Sequence, residues 1–233
     1  FRYYTDNGSG ADGFTFMLLN ASQVDTGTFT TGASGGSLGY SGDPSNGLGK
    51  GVPGGFLGIG FDEYGNFADS ATCHDGGTGG DDPGVTVRGA GDEGPDSSCS
   101  DTTNNYPFVE HANPSQSIDG GWRRVRITTD PTAGTSSDLG VRVEMSFDGG
   151  DSWETVIDST YSESEIGSKL PSRFYLAFSG STGGRNNVHA IDEVPVAKTV
   201  NLTTTVTSSP SGGPFTVGDT VEYTFDVSNN GPN

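Results

Sequence analysis

IGFDEYGNFAD, residues 59–69, places several oxygen-bearing side chains directly after a hydrophobic run. Asp62, Asn66 and Asp69 offer carboxylate and amide oxygens, and Asp62, Tyr64 and Asn66 share one side of an extended backbone. Such hard oxygen ligands, together with a backbone carbonyl, are those that Ca²⁺ prefers. The stretch therefore predicts a calcium-type loop after a buried strand. A plain polar surface loop is the alternative interpretation.

The composition indicates an all-β protein. The chain has 233 residues, including 39 Gly and 12 Pro, and this usage favours many short strands joined by turns. Only residues 162–169 suit a helical turn. The length suits one large β domain, or one domain with part of another.

Two later segments show strand-like alternation. In residues 121–128, the polar and aromatic side chains Trp122, Arg124 and Arg126 share one face of the predicted strand, while Val125 and Ile127 share the other. Residues 139–147 alternate in the same way. Both segments are predicted to be sheet strands with one buried face.

The charge of the chain limits its partners. Thirty acidic residues against 11 basic ones give a formal net charge of −19. This excess disfavours binding to nucleic acid phosphates or to anionic lipid, and no apolar run approaches the roughly 18 residues of a membrane span. We therefore expect no nucleic acid partner and no membrane insertion. The acidity suits a secreted protein or one that binds divalent cations.

The two cysteines, Cys73 and Cys99, bracket a segment dominated by Gly, Asp, Ser and Thr. Such a segment has few apolar side chains to hold it in place. A disulfide between the two would stabilise the fold by roughly 3 kcal/mol in the chain-entropy model and implies an oxidising compartment. A metal site that includes His74 is the alternative, although two sulfurs at this spacing do not suit structural zinc.

Four segments resemble the L-type (legume-like) lectins in both sequence and order. They are GADGFTFMLL (10–19), GGSLGY (35–40), the run ending FDEYGNFAD (61–69), and YLAFSGSTGG (175–184) with the strand that follows it. The resemblance covers about 190 residues and implies an antiparallel β-sandwich of the concanavalin-like jelly-roll type. It also implies a sugar site built from separate loops over a calcium ion.

The resemblance assigns roles to individual residues. Asp12 would accept hydrogen bonds from sugar hydroxyls, with a cis peptide bond between it and Ala11. The implied carbohydrate-binding residues are Asp12, Gly36, Asn66, Gly184 and Arg185. The implied calcium ligands are Asp62, the carbonyl of Tyr64, Asn66 and Asp69. Plant members use a Glu for a second, transition metal where this chain has Gly60, so we expect calcium alone.

Residues 146–153, SFDGGDSW, match the Asp-box pattern S-x-D-x-G-x-x-W of sialidase propellers. A propeller would need one copy in each blade, and the pattern occurs once here. The match therefore predicts a stabilised hairpin.

The character of the sequence changes at Lys198. Residues 217–232 resemble the start of DUF11-type Ig-like repeats of bacterial surface proteins. We predict an L-type lectin-like domain over 1–197 and a partial Ig-like domain over 198–233. Because a pair of strands is marginal alone, completion by another segment or by self-association between chains is expected.

These features together predict a calcium-dependent carbohydrate-binding module of a secreted or surface-anchored bacterial adhesin, without catalysis, at the extracellular cell surface. Glycans would be its partners. A structural subunit of an extracellular fibre with a lectin-like fold is the first alternative. A glycoside hydrolase is the second, but the E-x-D-x-E alternation that sandwich hydrolases place on one strand does not occur here.

Overall fold

The computed structural model describes residues 1–43, 50–69, 76–91, 106–131, 133–134 and 137–197, together with the backbone of residues 202–209 and 222–229. Cys73, His74 and Cys99 lie outside the described residues, so their pairing stays a prediction. The chain divides into two compact units, Phe1–Val194 and Pro195–Asn233. The sequence-predicted domain boundary lies close by, between residues 197 and 198.

The first unit is built almost entirely of strands. They are β1 (Arg2–Asp6), β2 (Gly13–Asn20), β3 (Gly55–Asp62), β4 (Gly84–Arg88), β5 (Phe108–Ala112), β6 (Gly121–Asp130), β7 (Leu139–Ser146), β8 (Glu154–Tyr161), β9 (Phe174–Ser181) and β10 (Val188–Asp192). One short helix, α1 (Glu163–Ile166), lies within the segment predicted to be helical, and Ser162 and Glu165 close its first turn as a capping box.

The strands form two five-stranded sheets, in the orders β10-β1-β6-β7-β8 and β5-β4-β3-β2-β9. All described pairings within them are antiparallel. The predicted all-β sandwich is therefore confirmed as a fold class. In the first sheet Val125 is buried and Trp122 is 44% exposed, which matches the predicted alternation.

The core between the sheets is rich in aromatic side chains. Phe14, Phe16 and Leu18 project from one face of β2 into this core. The rings of Phe14 and Phe61 stack with centroids 4.7 Å apart, and the Tyr3 ring of the other sheet lies 4.6 Å from Phe14. These contacts hold the two sheets together close to the start of β2.

A second apolar cluster lies on the opposite face of the β2–β3 sheet. Its members are Met17, Leu19, Leu38, Tyr40, Val52, Phe67 and Tyr106. Strands β2 and β3 are consequently buried on both faces, which explains their continuous rather than alternating hydrophobic sequences. The cluster anchors residues 33–43 and 62–69, the two loops that carry most of the predicted site.

The hairpin between β7 and β8 follows the Asp-box prediction. Asp148 accepts hydrogen bonds from the Ser146 hydroxyl at 2.8 Å and from the backbone N–H of Ser152 at 3.0 Å. The Ser146 hydroxyl in turn accepts the N–H of Gly150 at 2.8 Å. The turn is therefore organised around one carboxylate.

In the second unit, β11 (Leu202–Ser209) pairs with β12 (Glu222–Asn229) in an antiparallel two-stranded sheet. The Ig-like character predicted for this segment stays a prediction. In the part of the chain that the structure describes, no helix is long and apolar enough to span a membrane.

Candidate functional site

Asp12 lies between β1 and β2, and the peptide bond between Ala11 and Asp12 is cis, as the sequence resemblance implies. The Asp12 N–H donates to the Ser181 carbonyl at 3.1 Å, and the Asp12 carbonyl accepts the Glu63 N–H at 2.9 Å. The side chain is buried, and its Oδ2 has no hydrogen-bond partner among the described residues. Burial raises the pKa of this carboxyl, while His189 opposes the rise and Glu63 adds to it. Asp12 therefore presents an unused acceptor.

The turn Gly35–Ser37 faces Asn66. A Cβ placed on Gly36 would lie 2.5 Å from both Cγ and Oδ1 of Asn66, so any larger residue here must displace the Asn66 side chain. The Ser181 hydroxyl donates to the Gly35 carbonyl at 3.0 Å, which ties the turn to the end of β9. Asn66 Oδ1 is buried and, within the described ranges, has no hydrogen-bond partner. A second unused acceptor thus lies beside this turn.

The loop after β3 is closed by the carboxylate of Asp62. It accepts the backbone N–H groups of Tyr64 at 3.1 Å, Gly65 at 2.7 Å and Phe67 at 2.5 Å. Asp62 is fully buried. Burial raises the pKa of Asp62 to about 7, although the N–H donors of Gly65, Phe67 and Tyr64 lower it. The loop therefore holds a desolvated acidic group at its centre.

Arg88, at the end of β4, supports the same loop from within the protein. Its fully buried guanidinium donates to the carbonyls of Phe67 at 2.7 Å, Asp69 at 2.9 Å and Tyr106 at 3.0 Å. The sequence reasoning missed this residue. The signal that would have identified it is an arginine as the last residue of a buried strand, in the sequence VTVR.

The loop between β9 and β10 completes the site. A Cβ on Gly183 would lie 3.0 Å from Asp12 Oδ2, so this loop passes directly over the carboxylate. A Cβ on Gly184 would meet nothing within 4 Å, which leaves open space beside it. The guanidinium carbon of Arg185 lies 5.5 Å from the centre of the Tyr64 ring. The loop between β9 and β10 therefore contacts both the Asp12 loop and the calcium-type loop.

The structure thus brings the residues predicted for sugar binding onto adjoining loops at one end of the sandwich. They are Asp12, Gly36, Asn66, Gly184 and Arg185. Glu63, whose side chain contacts Thr5, Asn187 and His189, is the second residue near the site that sequence reasoning missed. Its contacts join distant segments, so no local pattern reveals them.

The predicted calcium ligands Asp62, Tyr64, Asn66 and Asp69 lie on one eight-residue loop, 62–69. Among the described residues, no group of three or more His, Cys, Asp or Glu has the arrangement of a metal site, and the predicted set relies on two carboxylates only. Asn66 Oδ1 is a buried acceptor without a partner. Three N–H donors on Asp62 leave about one of its four lone-pair sites unused. This hard-oxygen donor set fits the chemistry of calcium.

Comparisons with protein-family models, with curated proteins and with solved structures found no match for this chain. The strand topology defines it as an all-β sandwich protein. The resemblance to L-type lectins stays a prediction from the sequence motifs.

Proposed function

We propose that this chain is a calcium-dependent carbohydrate-binding module, without catalysis, of a secreted or surface-anchored bacterial adhesin. The observation that carries the proposal is the pair of buried, unpartnered acceptors, Asp12 Oδ2 and Asn66 Oδ1. Asn66 Oδ1 lies against Gly36 and Asp12 Oδ2 against Gly183, and the two glycine-bearing loops are neighbours, since a Cβ on Gly183 would also lie 3.5 Å from Gly35 Cα.

Unpartnered buried acceptors favour a ligand that supplies hydrogen-bond donors. Leaving such a group unsatisfied costs about 1–3 kcal/mol, and most buried polar groups in native structures have partners. Sugar hydroxyls are donors, and the loops that carry the site have open space at positions 35 and 184, where an added Cβ would meet nothing within 4 Å. A glycan hydroxyl bound there would satisfy Asp12.

Calcium would be held by Asp62, the Tyr64 carbonyl, Asn66 and Asp69. The ion would compensate the desolvated charge of Asp62, whose pKa is raised by burial. It would also fix the Asn66 amide, so that the sugar meets a rigid array of donors and acceptors and loses less ordering entropy on binding.

The surroundings of Asp12 support binding rather than hydrolysis. A retaining glycoside hydrolase needs a second carboxyl about 5 Å away that is available to the substrate. Two carboxylates interact electrostatically with that of Asp12, those of Glu63 and Asp62. Both oxygens of Glu63 accept hydrogen bonds from the side chains of Thr5, Asn187 and His189, and the Asp62 carboxylate accepts three backbone N–H groups of its own loop. Neither is therefore a free second carboxyl for a substrate.

A glycan array tests the proposal. The wild-type chain is applied with calcium and again with EDTA, beside Asp12→Ala and the control Asp25→Ala, which removes an exposed turn aspartate. We expect retention of a defined glycan class that is lost in EDTA and in Asp12→Ala but kept in Asp25→Ala. Absence of retention under both conditions would contradict the proposal and favour a structural role in a surface fibre. Glycan retention by Asp12→Ala would contradict the placement of Asp12 in the binding site.

A further inference from the structure

A polar cluster around a buried carboxylate lies beside Asp12 and joins the two sheets. It consists of Glu63 at the end of β3, Thr5 on β1, Asp119 before β6, and Asn187 and His189 at β10. The Glu63 side chain is completely buried. Four of the five members belong to one sheet or to the segments that lead into it, and only Glu63 comes from the other.

The Glu63 carboxylate is the centre of this cluster. Its Oε1 accepts hydrogen bonds from the Thr5 hydroxyl and from His189 Nε2, the latter at 2.9 Å. Its Oε2 accepts from Asn187 Nδ2 at 2.6 Å. Asn187 Nδ2 also lies 2.8 Å from Asp119 Oδ1. Each oxygen of a fully desolvated carboxylate therefore has a donor from the opposite sheet, which is the condition for retaining a buried charge.

Glu63 also contacts both loops of the candidate site. Its backbone N–H donates to the Asp12 carbonyl at 2.9 Å. Through Asn187 it holds the loop before β10, where the neighbouring Asn186 carbonyl accepts the Ser9 N–H at 2.7 Å and the Asn186 N–H donates to the Ser9 hydroxyl at 3.0 Å. One residue thus ties the loop that carries Asp12 to the loop that carries Gly184.

We propose that Glu63 is the positioning residue of the binding site, which sets the separation between the Asp12 loop and the Gly183–Asn187 loop. This inference rests on the glycan-binding function proposed above. Glu63 touches no ligand in this role. It acts by holding two ligand-contacting loops at fixed positions on a rigid sheet, as a preorganised site requires.

Two variants separate the hydrogen bonds of Glu63 from its volume. Glu63→Ala removes both carboxylate oxygens that accept hydrogen bonds from Thr5, His189 and Asn187. Glu63→Gln keeps the shape, and its amide group can donate to Thr5 and to a neutral His189 while its carbonyl accepts from Asn187. The Thr5 hydroxyl can then donate to Asp119. Glu63→Gln is therefore expected to keep the two loops in the positions that they lose in Glu63→Ala.

Amide hydrogen exchange on the whole chain gives the decisive readout. Glu110→Ala is the matched control, because Glu110 lies on the edge strand β5 and also accepts a side-chain hydrogen bond, from Tyr161 at 2.8 Å. We expect Glu63→Ala to exchange faster in residues 7–13 and 182–188 while the β7–β8 hairpin is unchanged. Glu63→Gln and Glu110→Ala should resemble the wild type in the two loops. Titration with calcium alone should show about tenfold weaker affinity for Glu63→Ala, the size typical of lost outer-shell support.

Two results would overturn the positioning role. One is unchanged exchange in both loops of Glu63→Ala, and the other is an equal increase throughout the chain, which would indicate a general loss of stability. Absence of glycan and calcium binding by the wild type would instead overturn the proposed function. The two failures are therefore distinguishable.

Discussion

At the residue scale, the space beside Gly36 decides whether Asn66 can keep its position. An added Cβ would lie 2.5 Å from the Asn66 amide, so Gly36→Ala must displace that side chain. We expect loss of glycan affinity with little change in the unfolding temperature, since Gly36 lies in a partly exposed turn. The matched control is Gly80→Ala, whose Cβ would meet nothing within 4 Å. Wild-type affinity in Gly36→Ala would contradict this assignment.

Asp62 is the residue on which the shape of the calcium-type loop depends. Asp62→Ala leaves three backbone N–H groups without their acceptor, although it also removes a buried charge. We expect a net loss of about 2 kcal/mol in the free energy of unfolding, measured by urea denaturation in EDTA. Asp25→Ala is the control, because Asp25 accepts similar bonds from Gly27 and Thr28 but is exposed. Equal losses in the free energy of unfolding of Asp62→Ala and Asp25→Ala would mean that burial of Asp62 does not increase its contribution to stability.

At the scale of elements, the β7–β8 hairpin depends on the ionised form of Asp148. Hydrogen bonds from Ser152 and Ser146 hold the pKa of Asp148 well below its usual value of 3.8. A depressed pKa means that ionised Asp148 stabilises the fold fully above about pH 4, and that this contribution is lost as the pH falls further.

The measurement is the unfolding temperature of wild type and Asp148→Asn between pH 7 and pH 2. We expect the wild type to be more stable at neutral pH and the difference to shrink below about pH 4. Asp151→Asn, in the same turn but without a described role in it, is the control. A difference that stays constant with pH would argue against ionised Asp148.

The strands and turns could be predicted from the sequence where their patterns involve only neighbouring residues. Alternation identifies the buried face of β6, and the Asp-box spacing identifies the hairpin between β7 and β8. Strand β5 was missed because all of its side chains are only half-buried at a sheet edge, which weakens the pattern. Glu63 was missed as a site residue because its partners Thr5 and Asn187 lie 58 and 124 positions away. Such contacts are fixed by the tertiary fold rather than by neighbouring residues.

At the scale of the whole molecule, every described core cluster lies within the first compact unit, Phe1–Val194. At the end of this unit Val194 is 46% accessible, and Val196 just after it is 72% accessible. The described part of the second unit is one pair of strands. The stability of the sandwich is therefore expected to arise within the first unit alone.

A shortened chain of residues 1–197 tests this expectation. Calorimetry should show the same main unfolding temperature as in the full chain, and glycan affinity should be unchanged, because the core and all site residues are retained. The separate segment 198–233 should give no cooperative transition, since an isolated two-stranded sheet is marginal in water. A markedly lower unfolding temperature for 1–197 would show that the second unit contributes to the stability of the sandwich.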